Sequence, residues 1–96
     1  MASSKNFKAG TNLAGSSLRG ADLTEADMFG ATLRDVDLQD ANLEGAVLRG
    51  VSLKGANLTN ANLKDADLRG GVMMGADGGA SIGSERSDLT ACLMDY

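Results

Sequence analysis

The stretch Ala21-Asp-Leu-Thr-Glu-Ala-Asp-Met-Phe-Gly-Ala-Thr-Leu-Arg-Asp-Val-Asp-Leu-Gln-Asp-Ala-Asn-Leu-Glu-Gly-Ala-Val-Leu-Arg-Gly50 is one five-residue phrase written six times without an insertion or deletion. The same phrase extends outward in both directions, from Thr11 to Gly75, for thirteen copies in a single register. Its centre is always Leu or Met, from Leu13 at one end to Met73 at the other. Two residues earlier stands a small side chain: Ala in eight copies, otherwise Thr11, Ser16, Val36, Val51 or Gly71. The residue between these two is mostly Asp, Asn, Ser or Thr, so each phrase reads inward, outward, inward, which is the alternation of an extended chain. A fixed period of five walks around a helix instead of forming a stripe on it.

The last position of each phrase is Gly eight times and otherwise Asp35, Asp40, Asn60, Asp65 or Glu25. Gly, Asn and Asp tolerate positive φ, which a tight turn of the type II kind requires at its third residue. Every phrase is therefore predicted to be a very short strand followed by a corner, with Glu25 marking a corner of different backbone type. A chain that turns the same way every five residues must coil, with its large and small inward residues filling a narrow axis and each turn stacked on the last in a parallel ladder. Periodicity alone permits three or four sides per coil.

The phrase Ala-(Asp/Asn)-Leu-X-Gly resembles the repeat of the pentapeptide-repeat family, and the resemblance covers Thr11 to Gly75. It implies an all-β fold, a right-handed quadrilateral parallel β-helix of about three to four coils. On that expectation residues 1–10 form an N-terminal cap or degenerate repeat in which Phe7 covers the end. Residues 11–75 form the β-helix, and 76–96 a Gly/Ser-rich linker with a capping segment. In that last segment Leu89, Cys92, Leu93 and Tyr96 fall at helical spacing behind Ser84, which predicts a short amphipathic helix over the open end. Two readings compete with it: Ala80-Ser-Ile-Gly-Ser84 and Ser87-Asp-Leu-Thr-Ala91 as further phrases, with the coil resuming irregularly and Ile82, Leu89 and Met94 inside, or a disordered tail.

The chain has 96 residues and a net charge of −4, with no His, no Trp, no Pro and a single Cys92. Imidazole or thiolate metal sites and a Ser/His/acid triad therefore lack their parts, and no enzyme activity or cofactor is expected. Asp35-Val-Asp-Leu-Gln-Asp40 has acids spaced like a calcium loop, but Asp40 stands where that loop needs its glycine and Ala46 where it needs the bidentate acid. The mild acidity argues against direct binding to nucleic acid, for which a basic surface is required. No apolar run is long enough to span a membrane and no signal segment is visible, so the cytoplasm is the expected location.

If coils contain twenty residues, Phe29, Arg49 and Arg69 stack in one outward column, flanked by Asp27, Val47 and Asp67. That column is either a cation–π ladder that stabilises the coil or a recognition strip. With the tail unfolded, Val72, Met73 and Met74 would lie exposed at the last coil, and a homodimer through this C-terminal end is the expected association. The function expected is a non-catalytic structural or protein-interaction module with an unidentified partner. The alternative, which the resemblance implies from longer relatives, is imitation of DNA in an interaction with DNA gyrase.

Overall fold

The computed structural model describes residues 7–77 together with Asp88 and Thr90. The register is twenty. Outward residues pair in parallel bridges with the outward residue four phrases later: Asn12 with Thr32, Ser17 with Asp37, Asp22 with Asn42, Asp27 with Val47, and onward to Asn57 with Asp77. Four corners per coil and one short bridge per side define a four-sided parallel β-helix, which settles the choice between three and four sides. We number the sides by their first phrases: face 1 begins at 11–15, face 2 at 16–20, face 3 at 21–25 and face 4 at 26–30. Faces 1 and 3 are opposite, as are faces 2 and 4.

One phrase is enough to account for every backbone N–H. In 36–40, the small residue Val36 donates to the carbonyl of Leu33 across the preceding corner (3.2 Å), and the outward Asp37 donates to Ser16 in the coil before (3.0 Å). The central Leu38 donates to Asn57 (2.8 Å) and the second corner residue Asp40 to Thr59 (3.0 Å), both in the coil after. The fifth donor, Gln39 at the first corner position, has no backbone partner in the ladder and donates instead to Asp37 Oδ1 (3.0 Å). The same Asx turn recurs from Asn12 to Ala14, Asp22 to Thr24, Asn42 to Glu44, Asn57 to Thr59 and Asn62 to Lys64. This explains why the outward position prefers Asp and Asn in particular over other polar residues: they satisfy the one amide that the coil leaves over.

All corners take one form. The second corner residue has positive φ throughout, from Gly10 at 77° to Gly75 at 71°, and in the side-chain-bearing residues Glu25, Asp35, Asp40, Asn60 and Asp65 at 57–61°. Glu25 therefore does not mark a different corner, contrary to its residue type. Its N–H donates to the Glu44 carbonyl (2.8 Å) as every ladder partner does, so the closed register imposes a left-handed conformation that costs an L residue roughly 1–2 kcal/mol.

The axis is solid. From Met28 to Leu68 every central residue is 0 % exposed, the small residues beside them are at most 5 % exposed, and among the described residues no polar or charged side chain is buried. The small position is small for lack of room: a Cβ on Gly71 would stand 3.1 Å from the Leu68 carbonyl and 3.2 Å from that of Val51. At the N-terminal end Phe7 is half-buried and packs on this core with Leu13 and Leu18. Its N–H reaches the Asp27 carbonyl twenty residues on, whereas ladder donors inside the helix reach nineteen residues on, so the chain enters one residue out of register.

The capping helix expected behind Ser84 lies outside the described residues, apart from two of its positions. Those two sit in the coil. Asp88 pairs in parallel with Asp67, donates to the Ala66 carbonyl (2.9 Å) and accepts from Leu68 (2.9 Å), and the carbonyl of Thr90 accepts from Gly70 (3.0 Å). Asp88 even forms the Asx turn to the Thr90 N–H (3.0 Å). At these two residues the irregular resumption of the coil is what the structure has, displaced by one residue from the twenty-residue register.

Candidate functional site

With its axis filled by Leu, Met and Ala, the described helix has no pocket. Among the described residues no group of acids, Cys or His is gathered closely enough to hold a metal ion, and no helix is long and apolar enough to cross a membrane. Whatever chemistry the described residues offer therefore stands on four flat outer faces, in columns whose members are about 4.8 Å apart.

Face 4 brings the expected column together. Phe29 lies over Arg49 and Arg49 over Arg69, as shown by the amide of Gly30 donating to Arg49 (2.8 Å) and that of Gly50 to Arg69 (3.0 Å). The arginine does not, however, turn along the column. The Arg69 guanidinium forks sideways onto Asp67 of its own phrase, Nε to Oδ1 at 2.8 Å and Nη2 to Oδ2 at 2.7 Å, and its Nε stands 3.7 Å from Asp88 Oδ2 in the next coil. A bidentate pair is stronger and more directional than an exposed ring contact. The guanidinium holds the Asp67 carboxyl below the ordinary carboxylate range, chiefly through these hydrogen bonds, and Asp67 in turn raises Arg69 further. Asp88 is also lowered, first by the Thr90 hydroxyl that donates to it at 2.6 Å and then by the Thr90 amide. Phe29 remains half exposed, at 49 %.

The C-terminal group divides. Met73 is 2 % exposed and belongs to the core column with Leu53, in keeping with its central place in the phrase; its expected exposure applied to an unfolded tail. Val72 is half-buried in the ladder, its N–H on the Val51 carbonyl (2.9 Å), while Met74 is 45 % exposed at a face 1 corner. Dimerisation through the end beyond them concerns positions outside the described residues.

Sequence reasoning missed two features of the surface. The Asx turns were visible as a preference for Asp and Asn, but only the ladder shows which amide they serve. The difference in sign between faces depends on the twenty-residue coil, which decides that Arg34 and Lys54 share face 1 and that Asp22, Glu25 and Glu44 share face 3.

A family model described as pentapeptide repeats matches residues 9–45 and 37–75, eight copies in all. The chain belongs to the pentapeptide-repeat family, whose fold is a right-handed parallel β-helix. Among solved structures it is similar to a pentapeptide repeat protein from Nostoc Pcc 7120, at 35 % identity over 88 % of this chain and 65 % of that one, with a TM-score of 0.69. It is also similar to Rfr23, a pentapeptide repeat protein from the cyanobacterium Cyanothece 51142, at 30 % identity over 95 % of this chain and 60 % of that one, with a TM-score of 0.63. A thylakoid lumen pentapeptide repeat protein of Arabidopsis thaliana shares the fold at 24 % identity over 92 % of this chain and 61 % of that one, with a TM-score of 0.56. The chain thus spans less than two thirds of the length of each of these relatives. No curated protein matches it in sequence.

Proposed function

We propose that this chain is a non-catalytic structural and protein-interaction module whose partner is a protein that reads one of its flat faces. The observation that supports this most directly is the filled axis: a coil with 0 % exposed Leu at its centre and no pocket offers substrates no enclosed site, while it holds outward side chains at fixed spacing on a hydrogen-bonded ladder. Catalysis needs groups that converge on a reacting atom, and side chains on a convex rod diverge.

Imitation of DNA finds no support in the columns. Asp27, Val47 and Asp67 alternate on face 4, and Thr24, Glu44 and Lys64 follow one another on face 3. A phosphate-like row of acids is interrupted in both. A gyrase supercoiling assay with excess protein is expected to show neither inhibition nor protection; either effect at micromolar protein would reinstate that reading. We place the module in the cytoplasm, which fractionation of cells expressing the natural gene would test.

The module reading is tested by affinity capture from the source organism, with the unmodified chain beside charge-reversed variants of each face that melt at the same temperature. It predicts one captured protein that is lost with the variant of one face only. Capture that is indifferent to every outward substitution, or no capture at all, would overturn it.

A further inference from the structure

The twenty-residue coil sorts the charges by side. Face 1 carries Arg34 and Lys54 at its corners with Thr32 and Ser52 between, and its one acid, the Asp35 carboxylate, lies back over Gly55 in the space a Cβ there would need. Arg49 stands at the corner where face 4 turns into face 1. Among the described residues the ion pairs belong to Arg69 and none involves Arg34, Arg49 or Lys54, although the charge of Arg49 contributes to lowering Asp67. Face 3, directly opposite, carries Glu25 and Glu44 against Lys64, and Asp40 stands at its boundary with face 2. A rod with a basic side and an acidic side is complementary to a translated copy of itself.

From this we infer that the chain associates laterally with a second copy, face 1 of one rod lying on face 3 of the next with both rods pointing the same way. This goes beyond the module reading, because it needs no other protein. The register carries it. Translation perpendicular to face 1 sets the corner between faces 4 and 1 against the neighbour's corner between faces 3 and 4, so Arg49 meets the neighbour's Glu44, five residues earlier and hence about 1 Å away along the axis. On the other border Arg34 meets the neighbour's Asp40, six residues later and again offset by about 1 Å. The floors that meet between them are Thr32 and Ser52 on one side and Asn42 and Asn62 on the other, all short and polar. Both rods have the same coil spacing, so one row further Lys54 meets the neighbour's Asn60 and Arg69, already paired with Asp67, meets Lys64; the favourable charge pairs are those of Arg49 and Arg34. The contact is heterologous and does not close, so it adds copies without limit. It covers on the order of 300 Å² per partner, well below the roughly 800 Å² of a stable complex, which makes it weak and dependent on salt.

Static light scattering on the full chain, from about 0.1 to about 2 mM in about 20 mM and about 0.5 M salt, tests this by varying screening from a Debye length of roughly 20 Å to roughly 4 Å. The apparent mass is expected to rise with concentration at low salt without a plateau, and to stay at the monomer value at high salt. A net charge of −4 spread without facing pattern would give the reverse, repulsion and a falling apparent mass at low salt. Arg49→Glu and Glu44→Lys, each checked for an unchanged circular dichroism spectrum, should each at least halve the low-salt rise, and an equimolar mixture of the two should restore it. A mass that is flat or falling at low salt overturns the inference. So does a steeper rise for Glu44→Lys, whose net charge is nearer zero, or a mixture no better than the average of its parts. The module reading is untouched by such a failure, since its partner is a different protein.

Discussion

Leu13 and Leu43 are the same residue at the same place in the same phrase, yet Leu13 is half-buried at the first coil and Leu43 is 0 % exposed in the second. The difference is not in the phrase. It lies in the number of coils that cover it, since each coil of a solenoid is stabilised by its own packing plus the interfaces with its neighbours. Leu43 has Leu23 before it and Leu63 after it in its column, whereas on face 1 Leu13 has only Leu33. Thirteen nearly equivalent phrases therefore make unequal contributions, and the middle of the stack carries most of the stability.

The largest effects should follow from changing volume in the middle. Leu43→Ala is expected to cost about 3–5 kcal/mol, because neighbours pinned by ladder bonds cannot collapse into the cavity, and Leu13→Ala about 1 kcal/mol. Thermal melts of the two variants check this, and equal losses would deny that burial by neighbours decides the cost. Ala41→Leu belongs with the large effects, since it overfills a column with no free volume, by about 3 kcal/mol or to the point of unfolding. Arg34→Ala, fully outside, should remain within about 0.5 kcal/mol of the unmodified chain.

A smaller effect should separate two kinds of glycine. At Gly71 a Cβ would press on the backbone carbonyls of Leu68 and Val51, so Gly71→Ala should cost about 1–2 kcal/mol by overpacking. At Gly70 a Cβ would meet nothing, but φ is 71°, so Gly70→Ala should cost about 1 kcal/mol through backbone strain alone. Gly70→Asn separates the causes, since Asn relieves the conformational cost; it should restore most of the loss, while Gly71→Asn should not.

The outer surface should show the smallest differences. Removing the Asx acceptor in Asn42→Ala leaves the Glu44 amide to water, at about 0.5–1 kcal/mol, whereas Ser52→Ala removes no such bond and should be silent. On face 4 the Asp67 carboxyl is depressed, so its contribution is present above the ordinary carboxylate value of 3.8 and is lost as the pH falls through the lower value it has in the folded chain. The melting temperature of the unmodified chain should exceed that of Asp67→Asn by a constant margin above about pH 5, and the margin should vanish on acidification. A margin that grew in acid would reverse the sign of the pair. Because the pair is close to the surface, the margin is small and weakens with salt.

Much of this was legible from residue types alone. Leu or Met at every fifth place and a small residue two places earlier give the inward columns, because volume and hydropathy are local properties of the phrase. The corners at Gly, Asn and Asp were legible for the same reason. Glu25 was not, since its left-handed φ of 59° is dictated by the ladder bond to Glu44, a residue nineteen places away. The number of sides was not legible either, because it depends on how wide the axis must be to hold Leu and Ala together. Arg69 turns to Asp67, two residues away, and not to a ring two coils distant, a competition that only side-chain geometry resolves. Asp88 resumes the coil one residue late, and no local pattern says which of two readings of a short amphipathic segment the preceding coil will accept.

The central claim is the twenty-residue coil, since the columns, the opposite faces and the charge sorting all follow from it. Nuclear Overhauser contacts on uniformly labelled protein test it most directly. Backbone contacts are expected between Thr32 and Ser52, Asp37 and Asn57, and Asn42 and Asn62, each pair twenty residues apart. Contacts at fifteen residues, joining Thr32 to Val47 and Asp37 to Ser52, would mean a three-sided coil and would contradict the account.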